Sequence, residues 1–184
     1  GPFTVSSTKI IRARAVREGF LPRAVISIEA SRAVFKKPDN AEGQRNGVNY
    51  SYYEGWVATV YDIEKTKFVE RGVLPEPSIS EAKQEDHFSF VFSGVLSIPE
   101  TGIYEFMTRS DDGSVLYIGR DKIVDNDGSH AAIVATGRVA LEKGLHNFTL
   151  RYFEDHEGPS LDWGRKKLDG EKFEPVPASA TYVK

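Results

Sequence analysis

Large apolar side chains alternate with smaller or polar ones along several short stretches, and this alternation constrains the fold more than any other feature. In Phe88–Ser93 every second residue is a phenylalanine, and Tyr104–Thr108 and His146–Tyr152 repeat the pattern. Successive side chains of a strand point to opposite faces, so a period of two indicates strands with one buried face. Short strands separated by glycine-containing turns predict an all-β fold, an antiparallel β-sandwich or barrel whose aromatic rows form the core.

A change in charge divides the chain. Residues 1–48 contain nine basic and four acidic residues, whereas residues 49–184 contain fifteen basic and twenty-three acidic ones. The polar stretch Lys36–Gly47, near this change in charge, contains one proline and two glycines and is typical of a linker or a long loop. We therefore predict a partial β-domain at 1–37, a linker at 38–48 and the main β-sandwich at 49–184.

The first segment alternates in the same way over Lys9–Val16 and Ala24–Ala30, which predicts two strands. Two strands are marginal as an independent unit, so we interpret this segment as half of a small β-domain. Its basic excess is typical of solvated strand faces, and a polyanionic partner is the alternative. One helical turn is predicted in the whole sequence, at Ser80–Asp86.

The composition excludes several functional classes. The absence of cysteine excludes disulfide scaffolds, cysteine-ligated metals and thiol nucleophiles. No apolar stretch reaches the ~18 residues of a membrane span, and the net charge of −3 disfavours a nucleic-acid partner. No serine lies in a Gly-x-Ser-x-Gly elbow, so we expect no enzyme here. The four histidines lack metal-ligand spacing and are interpreted as structural: His87, His130, His146 and His156.

Three acidic loops carry the remaining chemistry. Asp111 and Asp112 are adjacent between two predicted strands, and two neighbouring carboxylates favour a hard cation such as calcium, which takes six to eight oxygen ligands. Asp-Gly is equally typical of a hairpin turn, and spacing alone does not choose between these interpretations. Hairpin geometry predicts that 125–130 ends near this loop. The spacing is not that of an EF-hand, and residue counting does not establish whether 154–159 reaches the same rim.

These segments together resemble the PA-fourteen (PA14) domain family, named after a fragment of anthrax protective antigen. The resemblance covers about residues 45–184 in the order and spacing of the family. It is carried by Phe88–Gly94, Gly102–Phe106, Ser110–Ser114, Leu116–Ile118 and Val124–Gly128, and by Gly144, His146, Tyr152–Glu154, Leu161 and Trp163. Asn49–Trp56 and Pro175–Ser179 also fit. The fold that the resemblance implies is a lectin-like β-sandwich.

The first segment is similar to the C-terminal half of fibronectin type III-associated or chitobiase C-terminal-like domains. Gly1–Val5, Ile11–Ala15 and Glu18–Pro22 carry this likeness. Pairs of such domains resemble the non-catalytic ends of secreted bacterial hexosaminidases, other glycosidases or sulfatases. The resemblance therefore implies a secreted, periplasmic or cell-surface location and a catalytic domain of the parent protein as a partner.

The resemblance also implies a site. In lectin members an adjacent aspartate pair, often joined by a cis peptide bond, binds calcium, and calcium binds sugar hydroxyls; Asp111 and Asp112 match that pair. A further ligand comes from the loop after the later strand, where this chain has Glu154 or Asp155 instead of the usual asparagine. The implied metal ligands are thus Asp111, Asp112, Glu154 and Asp155, and the implied glycan-binding residues are Asp111, Asp112, Asp127 and His156.

The resulting expectation is a non-catalytic carbohydrate-binding module with calcium as cofactor and a glycan or polysaccharide as partner. Two alternatives stay open at this stage. The chain could be a structural spacer that packs on a catalytic domain without binding glycan, or an adhesion or protein-interaction domain.

Overall fold

The computed structural model describes residues 9–16, 18–19, 24–30, 32–39 and 45–183. The chain divides into two compact units, Gly1–Val34 and Phe35–Lys184. Within the described residues, no helix has the length and apolarity that crossing a membrane requires.

Strands dominate both units. In the described part of the chain they are β1 (Lys9–Ala13), β2 (Ile26–Ala30), β3 (Arg45–Asn46), β4 (Val48–Glu54), β5 (Lys67–Leu74), β6 (Phe88–Ile98), β7 (Gly102–Asp111), β8 (Ser114–Ile118), β9 (Asp121–Asn126), β10 (Ile133–Leu141), β11 (Gly144–Glu154), β12 (Ser160–Lys167), β13 (Glu174–Pro175) and β14 (Thr181–Val183). Two short 3₁₀ helices, Val60–Lys65 and Ala178–Ala180, accompany them.

The larger unit is an antiparallel β-sandwich. One sheet has the strand order β10-β7-β12-β13, and the other runs β3-β14-β6-β11-β8-β9 with β4 and β5 added beside β6. The named strands pair antiparallel throughout the described residues. The predicted all-β sandwich fold is therefore confirmed.

The predicted aromatic rows form the core between the sheets. Phe88, Phe90 and Phe92 are fully buried, and Phe148 of one sheet stacks on Trp163 of the other at 5.1 Å between ring centroids. Burying each phenylalanine stabilises the fold by about 1.5–3 kcal/mol. The alternation seen in the sequence is thus the direct consequence of one face of each strand being inside the sandwich.

A second, smaller apolar cluster lies apart from the main core, near the C-terminal end of β11. Val115 and Phe153 pack there with Val60 and Ile63 of the first 3₁₀ helix. Thr59 caps this helix by accepting a hydrogen bond from the Tyr61 backbone N–H. The helical turn predicted at Ser80–Asp86 is wrong, because those residues form turns and bends.

Lys36, just before the predicted linker at 38–48, and residues at both ends of that linker hydrogen-bond within the larger unit. The backbone of Lys36 bonds to Ala140 and Glu142, and the Asp39 carboxylate accepts from the Asn147 backbone N–H at 2.7 Å. β3 pairs with β14 at the other end. Residues 35–39 therefore belong structurally to the sandwich.

In the smaller unit β1 and β2 pair antiparallel. Lys9 lies opposite Ala30 at one end of the pair, and Ala13 lies opposite Ile26 at the other. Ile10, Ile26 and Ile28 are each more than half exposed. The residues at 1–5 and 20–22 that carry the likeness to a fibronectin type III-associated domain lie outside the described residues. That likeness stays a prediction.

Candidate functional site

The Asp111–Asp112 segment passes from one sheet of the sandwich to the other. Asp111 ends β7, which pairs with β10 and β12, whereas Ser114 begins β8 in the opposite sheet. The hairpin interpretation of Asp-Gly is therefore wrong, since β7 and β8 are not partners. The Asp111–Asp112 peptide bond is cis, as the family resemblance implies.

Asp112 connects this crossover to two other loops. Its Oδ1 accepts hydrogen bonds from the Ser129 hydroxyl at 2.9 Å and the His130 backbone N–H at 2.7 Å. Its Oδ2 accepts from the backbone N–H groups of Asp155 at 2.7 Å and His156 at 3.3 Å. The side chain is buried, and an ionised carboxylate offers about four acceptor positions. Asp112 thus uses its acceptor capacity to hold the three acidic loops together. We call these loops, which are the Asp111–Asp112 segment, residues 125–130 and residues 154–159, the acidic rim.

The Asp111 carboxylate accepts fewer hydrogen bonds than the Asp112 carboxylate does. Its Oδ2 accepts a hydrogen bond from the Ala132 backbone N–H at 2.9 Å, and its backbone carbonyl accepts one from the Tyr152 hydroxyl. The side chain is partly exposed. Among the residues that the structure describes, no donor bonds the other carboxylate oxygen of Asp111, which can therefore meet a ligand.

Glu154, the last residue of β11, is buried at the same place. The Tyr152 hydroxyl, whose one hydrogen is shared with the Asp111 carbonyl, lies 2.9 Å from the Glu154 Oε2, while the Glu154 Oε1 has no hydrogen-bond partner among the described residues. The pKa of Glu154 is raised to about 7, chiefly by burial; the Tyr152 hydrogen bond opposes this increase, and the neighbouring charges of Asp112 and Asp111 add to it. An ionised Glu154 would hold a negative charge that the described residues do not neutralise.

The three carboxylates fit a hard divalent cation. Asp111, Asp112 and Glu154 each offer one oxygen, and these oxygens lie within 4.8 Å of one another. In the described part of the chain, none of the three pairs with lysine or arginine. Oxygen donors of this kind suit calcium, and the unpartnered buried Oε1 of Glu154 is an oxygen that such an ion would satisfy.

A cavity of about 240 Å³ opens over the acidic rim. It is lined by Asp111, Asp112, Ser129, His130, Ala131, His156 and Glu157. An enclosed cavity of roughly 150 Å³ already admits benzene, so this space accepts a group about as large as a sugar ring. Its lining is mainly polar, which suits a hydroxylated ligand.

A comparison with family models decides the affiliation of the chain. The model described as "PA14 domain" matches residues 44–176, which is most of the larger unit. The chain belongs to the PA14 domain family. The resemblance inferred from the sequence is confirmed for this part of the chain.

Solved structures similar to this PA14 domain share its fold at low identity. An "anti-sigma factor domain-containing protein" matches with a TM-score of 0.64 and 18% identity, over 76% of this chain but only 49% of that chain. A "PA14 sugar-binding domain from RTX adhesin" matches with a TM-score of 0.62 and 15% identity, over 76% of this chain and 99% of that one.

A third structure is the Epithelial Adhesin 6 A domain from Candida glabrata in complex with Galb1-3GlcNAc. It matches with a TM-score of 0.60 and 10% identity, over 79% of this chain and 90% of that one. No curated protein matches the chain.

The residues predicted for the site do not all meet in this PA14 domain. Asp111, Asp112 and Glu154 come together, and His156 lines the cavity. Asp127 does not line it, since its Oδ1 accepts a hydrogen bond from the Val60 backbone N–H at 2.8 Å and so anchors the 3₁₀ helix.

Asp155, the fourth predicted metal ligand, belongs to a different group of side chains. Its backbone N–H bonds Asp112, but its carboxylate lies with His87 and His156. Successive side chains along a strand point to opposite faces, and Asp155 directly follows the last residue of β11, so Glu154 and Asp155 have different neighbours.

Residues absent from the sequence prediction complete the rim. Ser129 lies between two loops, since its hydroxyl, with one hydrogen to donate, is 2.9 Å from the Asp112 Oδ1 and 3.0 Å from the Asp155 Oδ2. The Tyr152 hydroxyl donates to Glu154, two residues along the same strand. Strand periodicity places Tyr152 and Glu154 on one face of β11, and that signal could have found the pair. The position of His130 follows the prediction that 125–130 ends at the Asp111–Asp112 loop.

Proposed function

We propose that the PA14 domain of this chain is a non-catalytic glycan-binding module that binds its ligand at the acidic rim with the help of calcium. The observations that carry the proposal are three carboxylates with oxygens within 4.8 Å of one another, the buried and unpartnered Oε1 of Glu154 among the described residues, and a polar cavity beside them. Three ionised carboxylates this close together are costly without a cation, and in the described part of the chain none of them pairs with lysine or arginine.

Each rim residue has its own part in this proposal. Asp111 and Glu154 provide the oxygens that would hold calcium, and Asp112 orients the loops that frame the ion. When bound, calcium supplies coordination positions that sugar hydroxyls occupy. Its usual requirement for six to eight oxygen ligands leaves room for such hydroxyls beside the protein oxygens.

The cavity lining supports recognition of a hydroxylated ligand. His156 is mostly exposed at its edge, and the Ser129 hydroxyl and Glu157 line the same space. Sugar hydroxyls donate and accept hydrogen bonds, and these side chains offer both functions. The structures of a PA14 sugar-binding domain and of an adhesin domain with Galb1-3GlcNAc support this class of ligand by their common fold.

The proposal extends to the setting of the module. The first unit would be the C-terminal half of a fibronectin type III-associated or chitobiase C-terminal-like domain. The two units would then serve a secreted, periplasmic or cell-surface bacterial protein with a glycan-active catalytic domain. The glycan-binding module would hold the catalytic domain on the polysaccharide substrate.

A glycan array tests the proposal. The chain, labelled at its termini, is applied with calcium and with chelator, and Asp111→Asn serves as the matched variant. We expect a defined set of bound glycans with calcium, and loss of that binding with chelator and in the variant. Absence of binding across host, plant and microbial glycans would contradict the proposal.

A structural spacer is the second proposal, and the use of Asp112 favours it. Its four hydrogen bonds serve the fold directly, without any ligand. A spacer predicts that removing the module from its parent protein lowers stability or activity on soluble substrate, while the isolated module binds no glycan. A glycan-binding module predicts the reverse, namely lower activity on insoluble substrate alone.

A further inference from the structure

A second group of potential metal ligands lies beside the acidic rim. His87, Asp155 and His156 each offer one ligand atom, and these atoms lie within 4.8 Å of one another. The Asp155 Oδ1 lies 3.4 Å from His87 Nε2 and 3.6 Å from His156 Nε2. We infer that these three side chains form a transition-metal site of the zinc type, separate from the three carboxylates of the rim.

The distances favour a shared ion over direct hydrogen bonds. An N–H to oxygen hydrogen bond spans about 2.7–3.2 Å, and both separations are longer. Zinc binds nitrogen and oxygen at about 2.0–2.2 Å, so tetrahedral geometry separates its ligand atoms by about 3.3–3.5 Å. The separations of 3.4 Å and 3.6 Å are close to two edges of such a tetrahedron.

Burial supports the same assignment. The Asp155 Oδ1 is buried and has no hydrogen-bond partner among the described residues. Its other oxygen is held by Ser129, and its backbone N–H is held by Asp112, so the direction of the carboxylate is fixed. An acceptor that is oriented but unpartnered is costly inside a protein, and an ion between it and the imidazoles would remove that cost.

The backbone of His87 is held in place, and its ring contacts that of His156. His87 has a φ of 56°, and its carbonyl accepts hydrogen bonds from the Gly55 backbone N–H and the Gln84 side chain, both at 2.7 Å. The His87 and His156 rings meet edge to face at 4.7 Å between centroids. Both side chains are partly exposed, at 40% and 63%, so an ion can reach them from solvent.

Asp86 provides an outer partner for one imidazole. Its Oδ2 lies 4.0 Å from His156 Nδ1, on the side of the ring away from Asp155. Metal-bound histidines commonly direct their second nitrogen toward a carboxylate, which orients the ring and increases its basicity. The Oδ1 of Asp86 accepts a hydrogen bond from the Glu157 backbone N–H.

The donor set specifies the kind of ion. Imidazole nitrogen suits zinc, copper and nickel, whereas calcium takes oxygen ligands. Two imidazoles and one carboxylate leave a fourth position for water or for an oxygen atom of a ligand. Zinc binding here does not require glycan binding at the acidic rim, so each can fail without the other.

Calorimetric titration with zinc alone tests the site. The chain carries no polyhistidine tag, and calcium is kept in excess so that the carboxylate rim is not the zinc site. We expect one zinc per chain. His87→Ala and His156→Ala should each weaken binding by at least about tenfold, and Asp86→Asn should weaken it by about tenfold.

His146 lies outside the cluster, and its Nε2 is bonded to the Glu142 carbonyl. His146→Gln is the control, since it also removes one histidine. It should leave zinc affinity unchanged. Melting curves without metal establish that each variant is folded, and the visible spectrum with cobalt reports the coordination number. Lack of stoichiometric zinc binding, or binding that His87→Ala and His156→Ala leave intact, would overturn the assignment.

Discussion

Asp111 and Asp112 are neighbours in sequence but have different roles in the structure. Asp112 is buried and accepts four hydrogen bonds from two loops, whereas Asp111 accepts one at its carboxylate. Adjacency alone predicts an acidic pair. It does not predict which member holds the loops, because that depends on residues 17 to 44 positions away.

Asparagine at each position separates these roles. Asp112→Asn removes the charge and half of the acceptors from a buried network, and we expect a loss of about 2–3 kcal/mol in the free energy of unfolding. Asp111→Asn keeps an oxygen for the Ala132 N–H and should stay within about 1 kcal/mol of wild type. Urea unfolding in chelator measures both. Equal destabilisation by the two variants would contradict the division of roles.

Glu154 makes the metal-free protein sensitive to pH. Its pKa rises from 4.5 to about 7 in the folded state, so between these values the folded protein holds a proton that the unfolded chain has lost. The free energy of unfolding therefore decreases as pH rises from 4.5 to about 7, by about 3 kcal/mol at most, and levels off above.

Glu154→Gln provides the comparison for this effect. The amide does not ionise, so the part of the pH dependence that is due to Glu154 should disappear in the variant. Urea unfolding of both proteins at closely spaced pH values measures the difference. A difference that does not change between pH 4.5 and 7 would contradict the assigned pKa.

At the scale of elements, the crossover between β7 and β8 depends on a glycine. A Cβ atom on Gly113 would lie 2.3 Å from a ring carbon of Phe153 and 3.0 Å from the Gly128 backbone. We expect Gly113→Ala to cost about 1–3 kcal/mol and to displace the Asp111–Asp112 segment. Gly102→Ala is the matched control, since its Cβ would meet only side-chain atoms at 3.4 Å and 3.6 Å. Thermal unfolding that ranks both variants together would refute this reason for the glycine.

Strands were predictable because their signal is local. The alternation over Phe88–Ser93 and His146–Tyr152 follows from one buried face, and both segments lie within strands of the sandwich. The 3₁₀ helix at Val60–Lys65 has no such periodicity, and it is fixed by distant groups such as Asp127. The crossover at Asp112–Gly113 was equally hidden, because Asp-Gly has the same composition in a hairpin and between sheets.

At the scale of the whole molecule, the acidic residues of the larger unit matter by position. The sequence predicted an acidic sandwich, and the fold gathers three of its loops at Asp112. The group of His87 and His156 could not be predicted, since the two histidines are distant in sequence and meet only when β6 and β11 pair. Family resemblance supplied the aspartate pair, and the structure added Ser129 and Tyr152 around it.

Calcium titration of the metal-free protein tests the acidic rim most directly. Calorimetry with calcium alone should give one ion per chain in wild type. Asp111→Asn and Glu154→Gln should each abolish that binding, while His87→Ala retains it because His87 lies outside the three carboxylates. No stoichiometric calcium binding in wild type, or binding unchanged in Asp111→Asn and Glu154→Gln, would contradict a calcium-dependent glycan site at the rim.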